Sequence, residues 1–192
     1  MATARLALYG GSFDPIHCGH LILARDALEE LALDRVIMLP AAVSPHKLSR
    51  TPTAGAIRHA MTAAAIADEP RLTLDPRELH RPGPSYAIDT VEEIHRENPG
   101  TRLLYLIGAD NLEKLHTWHR IAELHERVEW VVFDRGKTPS HPYRSLARRL
   151  DISSTEIRER VAMGRSIEYL VPGPVVRLIE KHHLYQPPHH RT

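Results

Sequence analysis

The stretch Leu8-Tyr-Gly-Gly-Ser-Phe-Asp-Pro-Ile-His-Cys-Gly-His20 lies near the beginning of the 192-residue chain. It starts in an apolar segment, passes through two adjacent glycines and a turn, and ends with a His-x-x-His pair that opens an amphipathic segment. A strand, a glycine-rich turn and a helix N-terminus direct free N–H groups and the positive end of the helix dipole toward one point. Histidines three residues apart share one helix face and can reach that point as well. The stretch therefore predicts a site for nucleotide phosphates.

Apolar segments alternate with helical patterns over most of the chain. Strands are predicted at residues 4–9, 36–39, 72–74, 103–107 and 130–133. Helices are predicted at residues 19–31, 53–68, 85–98, in two short pieces around residue 118, and at 143–150, 152–164 and 174–183. Ser85 is a candidate cap for the third of these helices. The alternation predicts an α/β fold with a doubly wound parallel sheet. We expect one domain over residues 1–185, whose residues 151–185 form a small C-terminal helical part, and a disordered tail at 186–192.

Composition limits the classes of function. The formal net charge of +1 and a pI near 8.0 argue against a general nucleic-acid binder. No apolar run approaches the ~20 residues that span a bilayer, and a strand beginning by Leu6 leaves no room for a signal peptide. Cys18 is the only cysteine, which excludes an intrachain disulfide and a Cys-x-x-Cys zinc site. We expect a cytoplasmic protein without nucleic-acid or membrane partners.

Two common phosphate motifs are absent. The chain has no G-x-x-x-x-G-K-[ST], and Gly10-Gly11 lacks the third glycine of G-x-G-x-x-G. Taken alone, the pair His17 and His20 could instead be satisfied by backbone carbonyls or be half of a zinc site. Zinc needs three or four ligands, however, and no further zinc motif is present.

A second candidate for phosphate binding is Ile152-Ser-Ser-Thr-Glu-Ile-Arg158. Ser153 or Ser154 can cap a helix here, and Arg158 lies one turn further on, on the side of Thr155. Hydroxyls, free N–H groups and a guanidinium at one helix end suit a pyrophosphate. Without the N-terminal stretch, the same residues would indicate only a capping box and a surface arginine.

The two stretches together resemble a known family. Gly10 to His20 closely resembles, without a gap, the signature of the nucleotidyltransferase superfamily with a (T/H)-x-G-H motif, and Ile152 to Arg158 is similar to its I-S-S-T-x-I-R. Further stretches resemble one branch, the bacterial nicotinate-nucleotide adenylyltransferases: Ser44-Pro-His-Lys47, Pro84-Ser-Tyr-Ala-Ile-Asp-Thr90, and Ile107-Gly-Ala-Asp110 followed by Thr117-Trp118. The resemblance covers nearly the whole chain and implies a Rossmann-like nucleotidyltransferase fold.

The resemblance implies an activity and a set of residues. The activity is transfer of the adenylyl group of ATP to nicotinate mononucleotide, giving nicotinate adenine dinucleotide and pyrophosphate, in NAD biosynthesis. The implied catalytic residues are His17, His20, Lys47 and Arg158. The implied ATP-binding residues are Gly10, Gly11, Ser12, Phe13, His17, His20, Arg135 (near the adenine), Ile152, Ser153, Ser154, Thr155 and Arg158. The implied substrate-binding residues are Lys47 (phosphate), Ser85, Tyr86, Ala87, Thr90, Gly108, Asp110 (ribose) and Trp118 (stacked on the pyridine ring).

The chemistry of this reaction needs donors rather than a base. The attacking phosphate has a second pKa of about 6 and is largely dianionic at pH 7. We therefore expect in-line attack without a covalent intermediate, and Mg²⁺ that travels on ATP and keeps mostly water and phosphate ligands.

Two departures from the family pattern leave alternatives open. Ala87 stands where the family usually has threonine, so the preference for the acid over the amide depends on whether a backbone N–H or a hydroxyl recognises the carboxylate. The connection over residues 133–151 is short, which reduces the expected strand before Ile152 to residues 149–151. The alternatives are an adenylyltransferase for nicotinamide mononucleotide or phosphopantetheine, a cytidylyltransferase, and a non-catalytic nucleotide-binding domain. A homo-oligomer is also possible.

Overall fold

A parallel sheet forms the centre of the computed structural model, which describes residues 3–42, 51–82, 84–134 and 141–187. Within these residues the sheet has six strands in the order β3-β2-β1-β4-β5-β6. They are β1 (Arg5–Gly11), β2 (Arg35–Pro40), β3 (Leu72–Leu74), β4 (Arg102–Gly108), β5 (Glu129–Asp134) and β6 (Arg144–Ala147). All neighbouring strands run parallel. This order, which runs outward from β1 and β4 in both directions, confirms the predicted doubly wound arrangement.

Helices cover both faces of the sheet. They are α1 (Cys18–Glu30), α2 (Gly55–Ile66), α3 (Arg77–His80), α4 (Ala87–Glu97), α5 (Leu112–Leu115), α6 (Ile121–Arg127), α7 (Ser154–Ala162) and α8 (Gly173–Lys181), with a 3₁₀ turn at Ala109–Asn111. Buried side chains of α1, α2, α7 and α8 form one core with Ala7 and Tyr9 of β1. Those of α4, α5 and α6 form the other core with Leu6 and Leu8. In the described ranges, no helix is long and apolar enough to cross a membrane.

The predictions between Tyr143 and Asp151 are wrong. The expected helix over residues 143–150 is instead the edge strand β6, which pairs with β5 from Val131↔Arg144 to Asp134↔Ala147. An isolated helix of this length is marginal, whereas the open edge of β5 offers backbone partners at once. Leu146, 3% exposed, is buried against the sheet. The short strand expected at residues 149–151 does not form, because the ladder ends at residue 147.

The switch point of the sheet lies between β1 and β4. Chain connections leave these two strands in opposite directions, which opens a crevice at their carboxyl ends. Gly10 and Gly11 end β1, and Gly108 ends β4. A Cβ at Gly10 would lie 2.8 Å from the hydroxyl oxygen of Tyr105, so only glycine leaves room for this buried ring beside the end of β1. The predicted phosphate stretch therefore begins at the crevice.

Candidate active site

A cavity of about 590 Å³, the first cavity, opens at the carboxyl ends of β1 and β4. Within the described ranges, every residue predicted to bind ATP lines it. These residues are Gly10, Gly11, Ser12, Phe13, His17, His20, Ile152, Ser153, Ser154, Thr155 and Arg158. Gly108 and Asp110, expected on the substrate side, line it too. Arg135 lies outside the described residues. The fold thus brings the two predicted phosphate stretches to one cavity.

The two histidines of the His-x-x-His pair lie against each other at the start of α1. Their rings are stacked with centroids 3.7 Å apart. The backbone N–H of His17 donates to Nδ1 of His20 at 3.3 Å. Because Nδ1 accepts, a neutral His20 carries its proton on Nε2, which makes that nitrogen a donor.

His17 is the N-cap residue of α1 and is only 6% exposed. Burial lowers the pKa of His17 to about 4, so its ring is neutral at pH 7. Its Nδ1 is buried and has no hydrogen-bond partner among the described residues. A Cβ at Gly19 would lie 3.0 Å from that Nδ1, which explains the glycine between the two histidines. The first cavity is therefore lined by a buried, neutral imidazole.

The start of α7 is bound directly to the glycine-rich stretch. Ser153 caps the helix by accepting from the N–H of Glu156 at 3.1 Å. The hydroxyl of Ser154 donates to the carbonyl of Pro15 at 2.9 Å, across 139 residues of sequence. Arg158 donates to the carbonyl of Asp14 at 2.9 Å and to the hydroxyl of Thr155 at 3.0 Å. Two helix N-termini, those of α1 and α7, therefore line one cavity with their hydroxyl, imidazole and guanidinium groups.

A second cavity of about 380 Å³ adjoins the first. Ser85, Tyr86, Ala87 and Trp118, predicted to bind substrate, line it together with Glu78, Tyr105, Ile107, Thr117 and His119. The two cavities share Gly10, Gly11, Ser12, Ala41 and Asn111. Lys47 lies outside the described residues. A polar cavity and an aromatic one thus meet at the end of β1.

Two residues predicted to contact substrate have their hydroxyls bound elsewhere. Thr90 is fully buried and does not line the second cavity. Its hydroxyl donates to Oε1 of Glu78 at 2.9 Å and accepts from Arg81 at 3.1 Å. Ser85 donates to the carbonyl of Glu78 at 3.2 Å. The prediction that Ser85 caps α4 is wrong, because Tyr86 is the N-cap residue and its side chain makes no cap bond. Ser85 and Thr90 instead join α3 to the start of α4.

Burial raises the pKa of the Glu78 carboxyl, although the bond from Thr90 opposes that shift. The short helix α3, which the sequence did not predict, positions Glu78 behind Ser85 and Thr90. These hydrogen bonds hold α3 against the start of α4 and so fix this part of the wall of the second cavity.

Sequence reasoning missed one side chain that lines the first cavity and one that binds a residue of its wall. Arg58 of α2 is 1% exposed and lines the cavity wall. Tyr185, beyond α8, donates its hydroxyl to Oδ1 of Asp14 at 2.6 Å. Neither has a local signal: an arginine in an alanine-rich helix and a tyrosine near the end of the chain normally belong to the surface. Only their partners, far away in sequence, identify them.

Comparison with known proteins finds a matching family model and similar proteins of known description. The cytidylyltransferase-like family model matches residues 8–160. A probable nicotinate-nucleotide adenylyltransferase from Thermus thermophilus is 43% identical over 190 residues, which cover 95% of this chain and 100% of the relative. A probable nicotinate-nucleotide adenylyltransferase from Bacillus pumilus is 38% identical over 186 residues, which cover 95% of this chain and 98% of the relative.

Solved structures share the fold. Plasmodium falciparum nicotinic acid mononucleotide adenylyltransferase complexed with NaAD matches with a TM-score of 0.79 at 19% identity, over 95% of this chain and 97% of that one. A putative nicotinate-nucleotide adenylyltransferase from Vibrio parahaemolyticus matches with a TM-score of 0.69 at 22% identity, over 96% of each chain. These likenesses agree with the doubly wound sheet described above.

Proposed function

The chain belongs to the cytidylyltransferase-like family, and we propose how it carries out the reaction of its nicotinate-nucleotide adenylyltransferase relatives. It is a nucleotidyltransferase of NAD biosynthesis that transfers the adenylyl group of ATP to nicotinate mononucleotide. The observation that carries the site assignment is that a donor-rich cavity and an aromatic cavity share the wall of Gly10, Gly11 and Ser12. ATP would occupy the first cavity and nicotinate mononucleotide the second, with their phosphates meeting at the shared wall.

The reaction forms one bond and breaks one. A phosphate oxygen of nicotinate mononucleotide attacks the α-phosphorus of ATP, and the bond from that phosphorus to the bridging oxygen of the β-phosphate breaks. The products are nicotinate adenine dinucleotide and pyrophosphate. Since the attacking phosphate is already largely dianionic at pH 7, the protein needs no general base. Its work is to align two anions and to stabilise the charge that develops on the leaving group.

The first cavity holds donors suited to that work. We assign His17 and His20 to the α-phosphate, because both side chains line the first cavity beside the glycine-rich turn and the tautomer of His20 makes Nε2 a donor. The N-terminus of the 13-residue helix α1 adds its positive dipole end. Ser154, Thr155 and Arg158 at the start of α7 are assigned to the β- and γ-phosphates. Lys47, outside the described residues, stays a prediction for the incoming phosphate.

The second cavity suits a pyridine carboxylate. Trp118 offers a ring for stacking, and Ala87 is the first residue of the 11-residue helix α4. The first N–H groups of a helix have no partner within the helix and favour an anion. The N–H of Ala87 can therefore recognise the carboxylate without the hydroxyl of the usual threonine. This arrangement favours nicotinate over nicotinamide, whose carboxamide is neutral.

ATP-using enzymes of this type work with a divalent metal ion, and we propose Mg²⁺ bound to the phosphates of ATP. Only Asp14 and Asp110 supply carboxylates among the described residues of the first cavity. The Asp14 carboxylate already accepts from Tyr185 and from the backbone N–H of Thr53. A metal that keeps mainly water and phosphate ligands fits this donor set. The cytoplasmic location and the homo-oligomer stay predictions.

Turnover of the purified chain tests the function. With ATP and Mg²⁺, nicotinate mononucleotide should yield an adenine dinucleotide and pyrophosphate in equal amounts, and nicotinamide mononucleotide should yield far less. Turnover of phosphopantetheine alone, or equal turnover of the amide, would contradict the substrate assignment. Binding of ATP without any turnover would favour a non-catalytic domain.

A further inference from the structure

Arg58 makes an unusual set of hydrogen bonds for a buried arginine. It is 1% exposed, yet four donors of its guanidinium bind backbone carbonyls. Nε donates to Thr53 at 2.8 Å, one terminal nitrogen to Ser12 and to Ala41 at 2.7 Å each, and the other to Ala42 at 3.1 Å. These carbonyls belong to three segments: the glycine-rich turn, the chain after β2, and the approach to α2. One side chain therefore joins three segments around the first cavity.

The bonds from a single nitrogen fall where the cavities meet. Ser12 and Ala41 both line the first and the second cavity. Nη1 of Arg58 donates to the carbonyls of both. In a trans peptide, the carbonyl and the following N–H point in opposite directions. Holding these two carbonyls therefore also sets the directions of the next N–H groups, which belong to Phe13 and Ala42, two residues that line the first cavity.

Asp14 completes this arrangement on the other side of Thr53. Its Oδ2 accepts from the backbone N–H of Thr53 at 3.2 Å, so Thr53 is held through its N–H by Asp14 and through its carbonyl by Arg58. Burial lowers the pKa of Arg58, and the Asp14 charge opposes that shift. The guanidinium stays protonated at neutral pH. The buried, positively charged Arg58 therefore lies at the wall of the cavity that we assign to the phosphates of ATP.

We propose that Arg58 is a positioning residue for adenylyl transfer. It holds the glycine-rich turn and the chain after β2 in the relative position that aligns the attacking phosphate with the α-phosphorus. The inference rests on the proposed function, since it concerns the meeting point of the two substrates. Lysine cannot replace arginine here, because an ammonium is a compact charge on a flexible stem and cannot hold four carbonyls at fixed angles.

This role predicts a specific kinetic signature. Displacements of about 1 Å at a reacting centre can lower rates about 100-fold. Arg58→Lys should therefore lower kcat about 100-fold while changing the KM for each substrate only severalfold. Calorimetric binding of ATP alone, and of nicotinate mononucleotide alone, should stay within severalfold of the parent. Arg58→Gln, which lacks the charge as well, should lose at least as much kcat.

A destabilised variant of the same helix is the matched control. Met61 of α2 is fully buried and lines neither cavity. Met61→Ala should lower the thermal midpoint by leaving a cavity, yet keep the parent kcat at temperatures where it is folded. Unfolding curves for all variants give the folded fraction, and activities are compared per folded molecule.

The outcomes separate the two proposals. If the unmodified chain forms no dinucleotide, the proposed function fails. If it does, and Arg58→Lys keeps the parent kcat per folded molecule, the positioning role alone is overturned. A fall in kcat matched by Met61→Ala at equal loss of stability would also overturn it, as would failure of both Arg58 variants to fold, because Arg58 would then serve folding.

Discussion

The two cavities are built in different ways. The first takes its donors from two continuous stretches, residues 10–20 and 152–158, each running into a helix N-terminus. The second collects its wall from short pieces around residues 78, 85–87, 105–107 and 117–119. Phosphate binding needs N–H groups and donors that a single turn and helix can supply, whereas a pyridine pocket needs surfaces from several elements. The lining of the first cavity could therefore be predicted from local sequence patterns, whereas the second cavity forms only when several distant elements pack together.

The difference also concerns what the side chains do. In the first cavity, the predicted residues supply imidazole, guanidinium and helix N-terminal groups to the wall. In the second, the hydroxyls of Ser85 and Thr90 bind Glu78 and shape the wall from behind. The first cavity should thus govern the rate of transfer, and the second the affinity for the mononucleotide.

The largest expected effect belongs to the first cavity. His20→Ala removes the donor that we assign to the α-phosphate, and the loss of one such donor costs about 3 kcal/mol of transition-state stabilisation, a hundredfold or more in kcat. The KM for ATP should change much less. Steady-state kinetics check this, with His182→Ala at the end of α8 as a control that should behave like the parent. Parent-like kcat in His20→Ala would remove the basis for the phosphate assignment.

The next effect concerns how the free energy of unfolding depends on pH. Because the pKa of folded His17 is about 4 and that of an unfolded histidine about 6.5, the unfolded state binds more protons between these values. The free energy of unfolding should therefore fall as pH falls from 6.5 toward 4, by up to about 3 kcal/mol from this residue.

His17→Gln lacks this titration. Chemical unfolding at pH 7.5 and at pH 4 should show a smaller loss of stability for the variant than for the parent. Equal losses in the two proteins would mean that His17 is not a buried neutral imidazole, and the contrast between the two cavities would weaken.

The smallest expected effect belongs to the second cavity. Trp118→Leu keeps an apolar side chain but removes the stacking ring, which is worth about 1 kcal/mol. The KM for nicotinate mononucleotide should rise about fivefold, while kcat and the KM for ATP change little. Trp118→Phe, which keeps a ring, should fall between the parent and Trp118→Leu. A main effect on kcat would show that the division between rate and affinity is wrong.

Sequence reasoning failed where partners are distant or where an element is short. Arg58 and Ser12 are 46 residues apart, and Tyr185 and Asp14 are 171 residues apart. No local pattern distinguishes such side chains from solvated ones. Strand β6 has one buried apolar side chain, Leu146, so periodicity could not separate a strand from a helix there.

The doubly wound sheet, and the two stretches that line the first cavity, could be predicted from the sequence alone. Alternating apolar strands and helices allow few other packings, and a glycine turn before a helix N-terminus creates an anion site from local geometry alone. Only tertiary packing brings Ser85 and Thr90 to Glu78, β6 to the edge of β5, and Arg58 to the carbonyls of Ser12 and Ala41. Hydrogen bonds and strand pairs of this kind form only after the chain has brought distant segments together, and their residue types do not specify their partners.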